Sequence, residues 1–305
     1  MENNTTSQTS PLYGLEYMAR NPATFDQYRN LLFSVAYRML GSVADAEDMV
    51  QETFLRWQQA PDEEEIRSPR AYLVTIVSRL CINHLQSARV QREEYPGEWL
   101  PEPIVTGPSA DPLDLVRIDE SLSMAFLVLL ERLNPVERAV FLLREVFDYE
   151  YAEIGTALNL TEANCRQILH RARTHVSTMR PRFQASPRQQ TDLLERFLDA
   201  TSSGDLNALV SLLSEDVVLH SDGGGKAIAV PNIVQGIDNV SRGILGGVKK
   251  FLPKNLVRRI ARVNGAPGCI SYLDGKPFSV LTFDTKDGRI RGIYIVTNPE
   301  KLARV

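Results

Sequence analysis

The sequence predicts a multidomain chain in which two all-α units precede one α+β unit. Three observations carry this. From Phe25 to about Arg180, apolar residues recur at helical spacing, interrupted by one proline-rich stretch. After Pro187, two short amphipathic helical patterns give way to period-two runs closed by Asp-Gly turns. The 305 residues, 43% of them hydrophobic, suffice for two or three ordinary domains and exclude a disordered or collagen-like chain.

The elements follow in order. Residues 1–20 are polar, without a basic or an apolar signal-peptide segment, and read as a disordered tail. Phe25, Leu32, Val35 and Met39 mark a first helix that Gly41 stops. A second runs over about 43–59, with Ala46, Val50, Phe54 and Trp57 on one side and Pro61 beyond its end. Ser68-Pro69 is an N-cap and N1 pair for a third, reaching about Arg92. Residues 21–94 thus form the first unit. Five prolines and two glycines between Tyr95 and Pro112 preclude a regular element and mark a linker over 95–112. The second unit, 113–182, holds helices over about 113–133, 135–147, 149–158 and 162–180. Pro181 and Pro187 bracket a second linker.

The last unit, 188–305, opens with helices at about 193–203 and 206–214 and a short strand at 217–220. A helix over 236–250 comes next. Four strands of an antiparallel sheet then follow, at about 256–264, 268–273, 277–284 and 289–296. Asn298-Pro299 starts a terminal helix.

Cys81, Cys165 and Cys269 lie far apart, with no Cys-x-x-Cys pair, which excludes a disulfide framework and the usual zinc finger and fits a reducing cytosol. No metal site and no cofactor are expected. No run of about 18 apolar residues is present, so no membrane partner is expected and a cytoplasmic location is.

Charge is distributed in blocks. Residues 41–66 hold eight acids and one base, 67–92 five bases and no acid, 161–182 five bases and one acid. Such blocks mark separate surfaces for a basic partner and for nucleic acid, or solvated helix faces. A short helix, a three-residue turn and a basic helix over 149–180 form a helix-turn-helix pattern. Ala152, Ile154, Ala157 and Leu158 can pack against Cys165, Ile168, Leu169 and Ala172. That turns Glu162, Asn164, Arg166, Gln167, His170, Arg171 and Arg173 outward, the first of them toward base edges and Arg171 and Arg173 toward phosphates.

Specific motifs sharpen this. Leu133-Asn134-Pro135-Val136-Glu137-Arg138, Tyr151-Ala152-Glu153-Ile154-Gly155 and Leu169-His170-Arg171-Ala172-Arg173 resemble region 4 of bacterial RNA polymerase sigma factors. Ala36-Tyr37-Arg38-Met39-Leu40-Gly41 and the stretch Asp45–Phe54 resemble region 2 of the extracytoplasmic-function group, and Pro69-Arg70-Ala71-Tyr72-Leu73 its promoter-melting helix. The resemblance implies two partners, core RNA polymerase and promoter DNA. Asp45, Glu47, Asp48, Gln51 and Glu52 would meet polymerase, since positions 45, 48, 49 and 52 share one helix face. Arg70, Arg79, Asn83 and Arg89 would meet the unwound strand.

The third unit resembles the SnoaL-like, cone-shaped (NTF2-like) α+β domain. Trp99-Leu100-Pro101-Glu102-Pro103, Asp222-Gly223-Gly224-Gly225-Lys226 and Asn298-Pro299-Glu300-Lys301-Leu302 resemble motifs of the SigJ-type sigma factors that carry it; Glu300 stands where Asp is expected. These fifteen residues are expected to dock linker and domain on one another and to modulate activity in cis. The competing reading is a ligand sensor, with an unknown small molecule as partner, or an isomerase or cyclase using His220 and Asp222. A lone strand His is more often structural, so no catalytic residue is assigned.

Overall fold

The computed structural model describes residues 22–60, 66, 68–93, 95–106, 122–177 and 186–305, with the side chains of 88–93 and Ser177 excepted. The expected tail at 1–20, the acids at 62–65, the segments 107–121 and 178–185 and the side chain of Arg89 lie outside these. The first unit is a three-helix bundle of α1 (Pro22–Leu40), α2 (Val43–Gln59) and α3 (Pro69–Glu93). Ser42 caps α2 by accepting from the amide of Asp45 at 3.2 Å. The linker contributes β1 (Val105–Thr106). The second unit comprises α4 (Met124–Leu130), α5 (Pro135–Glu145), α6 (Tyr151–Leu158) and α7 (Glu162–Ser177). Asn134 and Glu137 close a reciprocal capping box at the start of α5.

Leu32, Trp57 and Leu73 of the first unit share one apolar core with Phe141, Ile154 and Leu169 of the second. The two helical units are therefore packed as a single body, with α3 lying against α5 and α6.

The third unit contains α8 (Pro187–Ser203), α9 (Leu206–Leu212), β2 (Leu213–Asp222), β3 (Val234–Gln235), α10 (Ile237–Phe251), β4 (Val257–Val263), β5 (Ala266–Leu273), β6 (Lys276–Lys286) and β7 (Arg289–Val296). The sheet order is β1-β4-β5-β6-β7-β2-β3. Asn264, Asp274 and Asp287 take φ of 49°, 50° and 52° and are each followed by glycine, the chemistry of tight hairpins between β4, β5, β6 and β7.

The four strands β4 to β7 are antiparallel, as expected. β2 joins them as a parallel neighbour of β7, Leu219 opposite Ile293 and Asp222 opposite Val296, so the sheet is mixed. Three expectations are corrected. The linker does contain a regular element, since β1 pairs with β4 through Val105 opposite Val263. The prolines confine it to two residues at the sheet edge. The helix α8 begins at Pro187, not Leu193, because Ser186 and Gln189 make a capping box there. The terminal segment from Asn298 is a chain of turns, not a helix. Asn298 caps it as expected, its side chain accepting from the Glu300 amide at 3.0 Å and its carbonyl from Lys301 and Leu302, but the next bond is the three-residue turn from Val305 to Leu302.

The sheet is apolar on both faces. One face, with Leu219, Leu213 and Ile293, is covered by α8, α9 and α10. The other, with Ile270, Val280, Tyr294 and Val296, is covered by Leu100 of the linker and Met124 of α4. Among the described residues no helix is long and apolar enough to cross a membrane.

Candidate nucleic-acid and interdomain interfaces

Helices α6 and α7 pack through Ile154, Ala157, Cys165, Ile168, Leu169 and Ala172, all buried. Thr161 accepts from the Asn164 amide at 3.2 Å and starts α7. Asn159 at the end of α6 takes the left-handed conformation that makes the turn. Glu162, Asn164, Arg166, Gln167, His170, Arg171 and Arg173 are exposed along α7. Three of these cations have carboxylates nearby. Arg166 bonds Glu162 at 2.7 Å, Arg173 bonds Glu145 at 2.6 Å, and Arg171 lies 3.8 Å from Glu137. The guanidinium of Arg166 also lies 4.8 Å above the ring of Tyr151.

The cations of α3 do something sequence reasoning did not foresee. Arg79 donates from Nε to the carbonyl of Ala157 at 2.7 Å and from Nη2 to that of Thr156 at 3.3 Å, at the C-terminal end of α6, where a cation is favoured. Arg70 sits 4.8 Å over the ring of Tyr149. Asn83 is exposed.

The described part of the linker, residues 95–106, is held from two sides. Trp99 lies on Gly41: a Cβ there would come within 2.5 Å of the indole. Glu102 accepts from the amide of Val43 at 2.8 Å, adding a carboxylate to the start of α2, and its own amide bonds Gly41 at 2.8 Å. The hydroxyl of Tyr37 donates to the carbonyl of Glu102 and accepts from Asn264 at 2.8 Å. Burial pushes the Tyr37 phenol far above its usual range, and the bond from Asn264 opposes this. Pro101 and Pro103 are buried in the same seam.

On the other side stands Asp222, fully buried at the end of β2. Its carboxylate accepts four bonds. They come from Tyr95 Oη at 2.7 Å, the Leu100 amide at 2.8 Å, the Gly224 amide at 2.9 Å and Lys301 Nζ at 2.6 Å. The Lys301 ammonium also bonds the Leu100 carbonyl and lies 4.1 Å from the centre of the Trp99 ring. Asn298 donates to Tyr95 at 2.8 Å, and Lys226 pairs with Glu300. Gly224 and Gly225 have φ of 60° and 68°, and a Cβ on them would come within 2.3 Å of Asn298 and 2.6 Å of Pro96. Gly223, Pro299 and Leu302 complete the motifs, with Gly223 and Leu302 buried and Pro299 exposed. Because β2 and β7 are parallel neighbours, the loop after β2 and the tail after β7 leave the same end of the sheet. They form one receptor for Leu100.

His220 faces the linker too. Its Nδ1 lies 2.6 Å from Glu98, and its ring stacks on Tyr294 at 4.9 Å. Leu219 and Ser221, its strand neighbours, point the other way, into a cavity of about 310 Å³ between sheet and helices. Neither His220 nor Asp222 lines that cavity. On α2, Asp48 and Gln51 are exposed, Asp45 lies 3.8 Å from His84, and Glu52 bonds Arg56 at 2.8 Å. Glu47 bonds Arg304 of the C-terminal tail at 2.8 Å. Tyr95, Glu98, Asn264 and Arg304 were not singled out from sequence, and Tyr37 only as a member of the region 2 motif. Asn264 was expected at the end of a strand, beside the turn that begins at Gly265.

Residues 24–90 match the Sigma-70 region 2 family and residues 123–176 the Sigma-70 region 4 family. The chain is 40% identical over 288 residues to the ECF RNA polymerase sigma factor SigJ of Mycobacterium tuberculosis, covering 91% of both chains. It is 32% identical over 287 residues to the probable ECF RNA polymerase sigma factor SigI of the same species, covering 92% of this chain and 94% of that one. A crystal structure of the M. tuberculosis extracytoplasmic function sigma factor SigJ superposes with a TM-score of 0.77 at 37% identity, over 93% of this chain and 99% of that one.

Proposed function

Because this chain belongs to the extracytoplasmic-function sigma factors of RNA polymerase, with an α+β C-terminal domain, we propose that the arrangement described above is its closed state. As a sigma factor it binds core RNA polymerase and directs promoter recognition and transcription initiation. We assign polymerase docking to Asp45, Glu47, Asp48, Gln51 and Glu52. Arg70, Arg79, Asn83 and Arg89 are assigned to the melted minus-ten strand. Base and phosphate contacts at the minus-thirty-five element go to Glu162, Asn164, Arg166, Gln167, His170, Arg171 and Arg173.

The observation that carries the closed state is the bonding of Arg79 to the carbonyls of Thr156 and Ala157. A cation meant for an unwound strand is occupied by the helix-turn-helix. Size supports the same conclusion. The two promoter elements lie about 25 base pairs apart, roughly 80 Å at 3.4 Å per pair. Two units sharing one core cannot reach both at once, so α3 and α6 must separate. The linker and the Asp222 receptor hold them together, and Arg304 lies over one of the polymerase-docking carboxylates.

The C-terminal domain acts in cis as a regulator and not as a catalyst. His220 and Asp222, the pair with acid–base potential, are turned from the cavity and engaged with the linker. The test is transcription in vitro from one cognate promoter. It compares the full chain, a chain lacking residues 298–305, one ending at about Pro187, and Trp99→Ala. A purely inhibitory domain predicts higher activity for all three variants, and an assisting domain predicts lower activity on its removal. Equal activity of all four at equal concentration refutes the closed-state reading.

A further inference from the structure

The cavity on the helical face of the sheet is built unlike a packing defect. It is walled by Phe197, Leu219, Ile244, Leu281 and Ile295 and falls within the size range of small-molecule pockets, about 300–1,000 Å³. At its rim Ile228, Val230 and Phe251 are 60%, 37% and 45% exposed, an apolar collar that water disfavours. One charged side chain lines it, Arg258. Its Nη1 donates to Ser202 Oγ at 2.6 Å, and no carboxylate of the described residues lies within ion-pair distance. Burial pushes the thiol of Cys269, in the cavity wall, upward, and the Arg258 guanidinium opposes this, so the cation acts on the inner wall. Seven bases and no acid between Ser241 and Val263 make this side of the domain positive.

Arg258 is half-exposed beside the apolar cavity, within reach of a bound molecule, and a carboxylate is the best-matched partner for a guanidinium. From this combination of apolar walls and one unpaired cation, we infer that the cavity binds an apolar small molecule bearing a single carboxylate. The carboxylate sits on Arg258 and the hydrocarbon among Leu219, Ile244 and Ile295. A cationic ligand would meet like charge, and a neutral one would leave the guanidinium unmatched. The hydroxyls of Ser271 and Ser279, cross-strand neighbours on β5 and β6, stand ready for a further oxygen. The loop that walls the cavity, Ile228–Val230, continues directly from Gly223–Lys226, which holds the linker.

This inference goes beyond the closed state and does not depend on it, because binding is measured directly. The full chain is titrated calorimetrically with decanoate, decanol and decyltrimethylammonium. Decanoate is expected to bind saturably at one per chain, decanol at least tenfold more weakly, and the ammonium not at all. Arg258→Gln should lower decanoate affinity to that of decanol and leave decanol unchanged. Gly247→Leu should abolish both. A Cβ on Gly247 meets nothing within 4 Å, so its side chain fills the cavity while the helix is strengthened and the melting temperature is kept or raised. Absence of saturable decanoate binding overturns the inference. So does equal binding of decanoate and decanol, or decanoate binding that neither variant changes.

Discussion

Asp222 offers the sharpest test of how the linker is held. Replacing it by alanine removes an anion that is 0% exposed and takes from Lys301, whose side chain is 13% exposed, the carboxylate that balances its charge. It also strands the Tyr95 hydroxyl and the Leu100 amide. Breaking a buried pair by deleting one member costs about 3–5 kcal/mol. At 1.4 kcal/mol per decade, that shifts the equilibrium between docked and undocked linker by between about a hundred and several thousand fold. A closed state favoured by only a few kcal/mol would then open. The chain has two tryptophans, Trp57 and Trp99. In a Trp57→Phe background Trp99 alone reports, and its removal from Lys301 and Gly41 should red-shift its emission. The linker should become sensitive to protease at the same time. Asp222→Asn keeps the shape and one acceptor and should fall between. Lys301→Met added to Asp222→Ala should recover part of the loss, because the cation whose charge Asp222 balanced is removed with it. An Asp222→Ala chain with unchanged Trp99 emission and unchanged cleavage would show that the carboxylate does not hold the linker.

Leu100→Ala, at a site with 0% exposure, should cost about 2–5 kcal/mol of linker docking, read by the same emission. Gly224→Ala and Gly225→Ala should each undock the linker, whereas Gly204→Ala, equally left-handed but with nothing within 4 Å, should cost about 1 kcal/mol in urea unfolding and leave Trp99 unmoved. In footprints on point-mutated promoters, Arg166→Ala and Gln167→Ala should relax sequence preference by about 1–3 kcal/mol per lost base contact, while Arg171→Ala weakens binding to every sequence alike. Burial raises the thiols of Cys81, Cys165 and Cys269, and all three are buried, so a disulfide reagent at mildly alkaline pH should titrate them only after denaturation.

What could be read in advance was what neighbours in sequence decide. The bounds of α2, the Asn134 cap of α5 and the hairpins at Asp274-Gly275 and Asp287-Gly288 all come from residues a few positions apart, and they were legible as such. The parallel pairing of β2 with β7 was not, because no local pattern distinguishes a parallel from an antiparallel neighbour at a sheet's centre. Nor was the role of Asn264. The sequence placed it at the end of a strand before the turn at Gly265, but its side chain bonds Ile104 and Tyr37, 160 and 227 residues away. Arg79 illustrates the same limit from the charge side. An acid-free stretch announces an anionic partner, yet in the free chain its guanidinium is met by the carbonyl end of a helix, which no count of acids reveals.

The placement of the Leu100 receptor has a consequence for the timing of synthesis. Lys301, which bonds the Leu100 carbonyl, comes 201 residues later in the chain. At about 5–20 residues per second the ribosome needs roughly 10–40 s to bring the two into existence together. The DNA-reading helices emerge well before that. During the interval the linker has its contacts with Gly41, Val43 and Tyr37 but not its clasp at Leu100, since neither β7 nor the tail that completes the site around Asp222 has been made. Each newly made molecule therefore passes through a phase without the Asp222 clasp that lasts at least as long as the synthesis of these residues, and slowing elongation lengthens it.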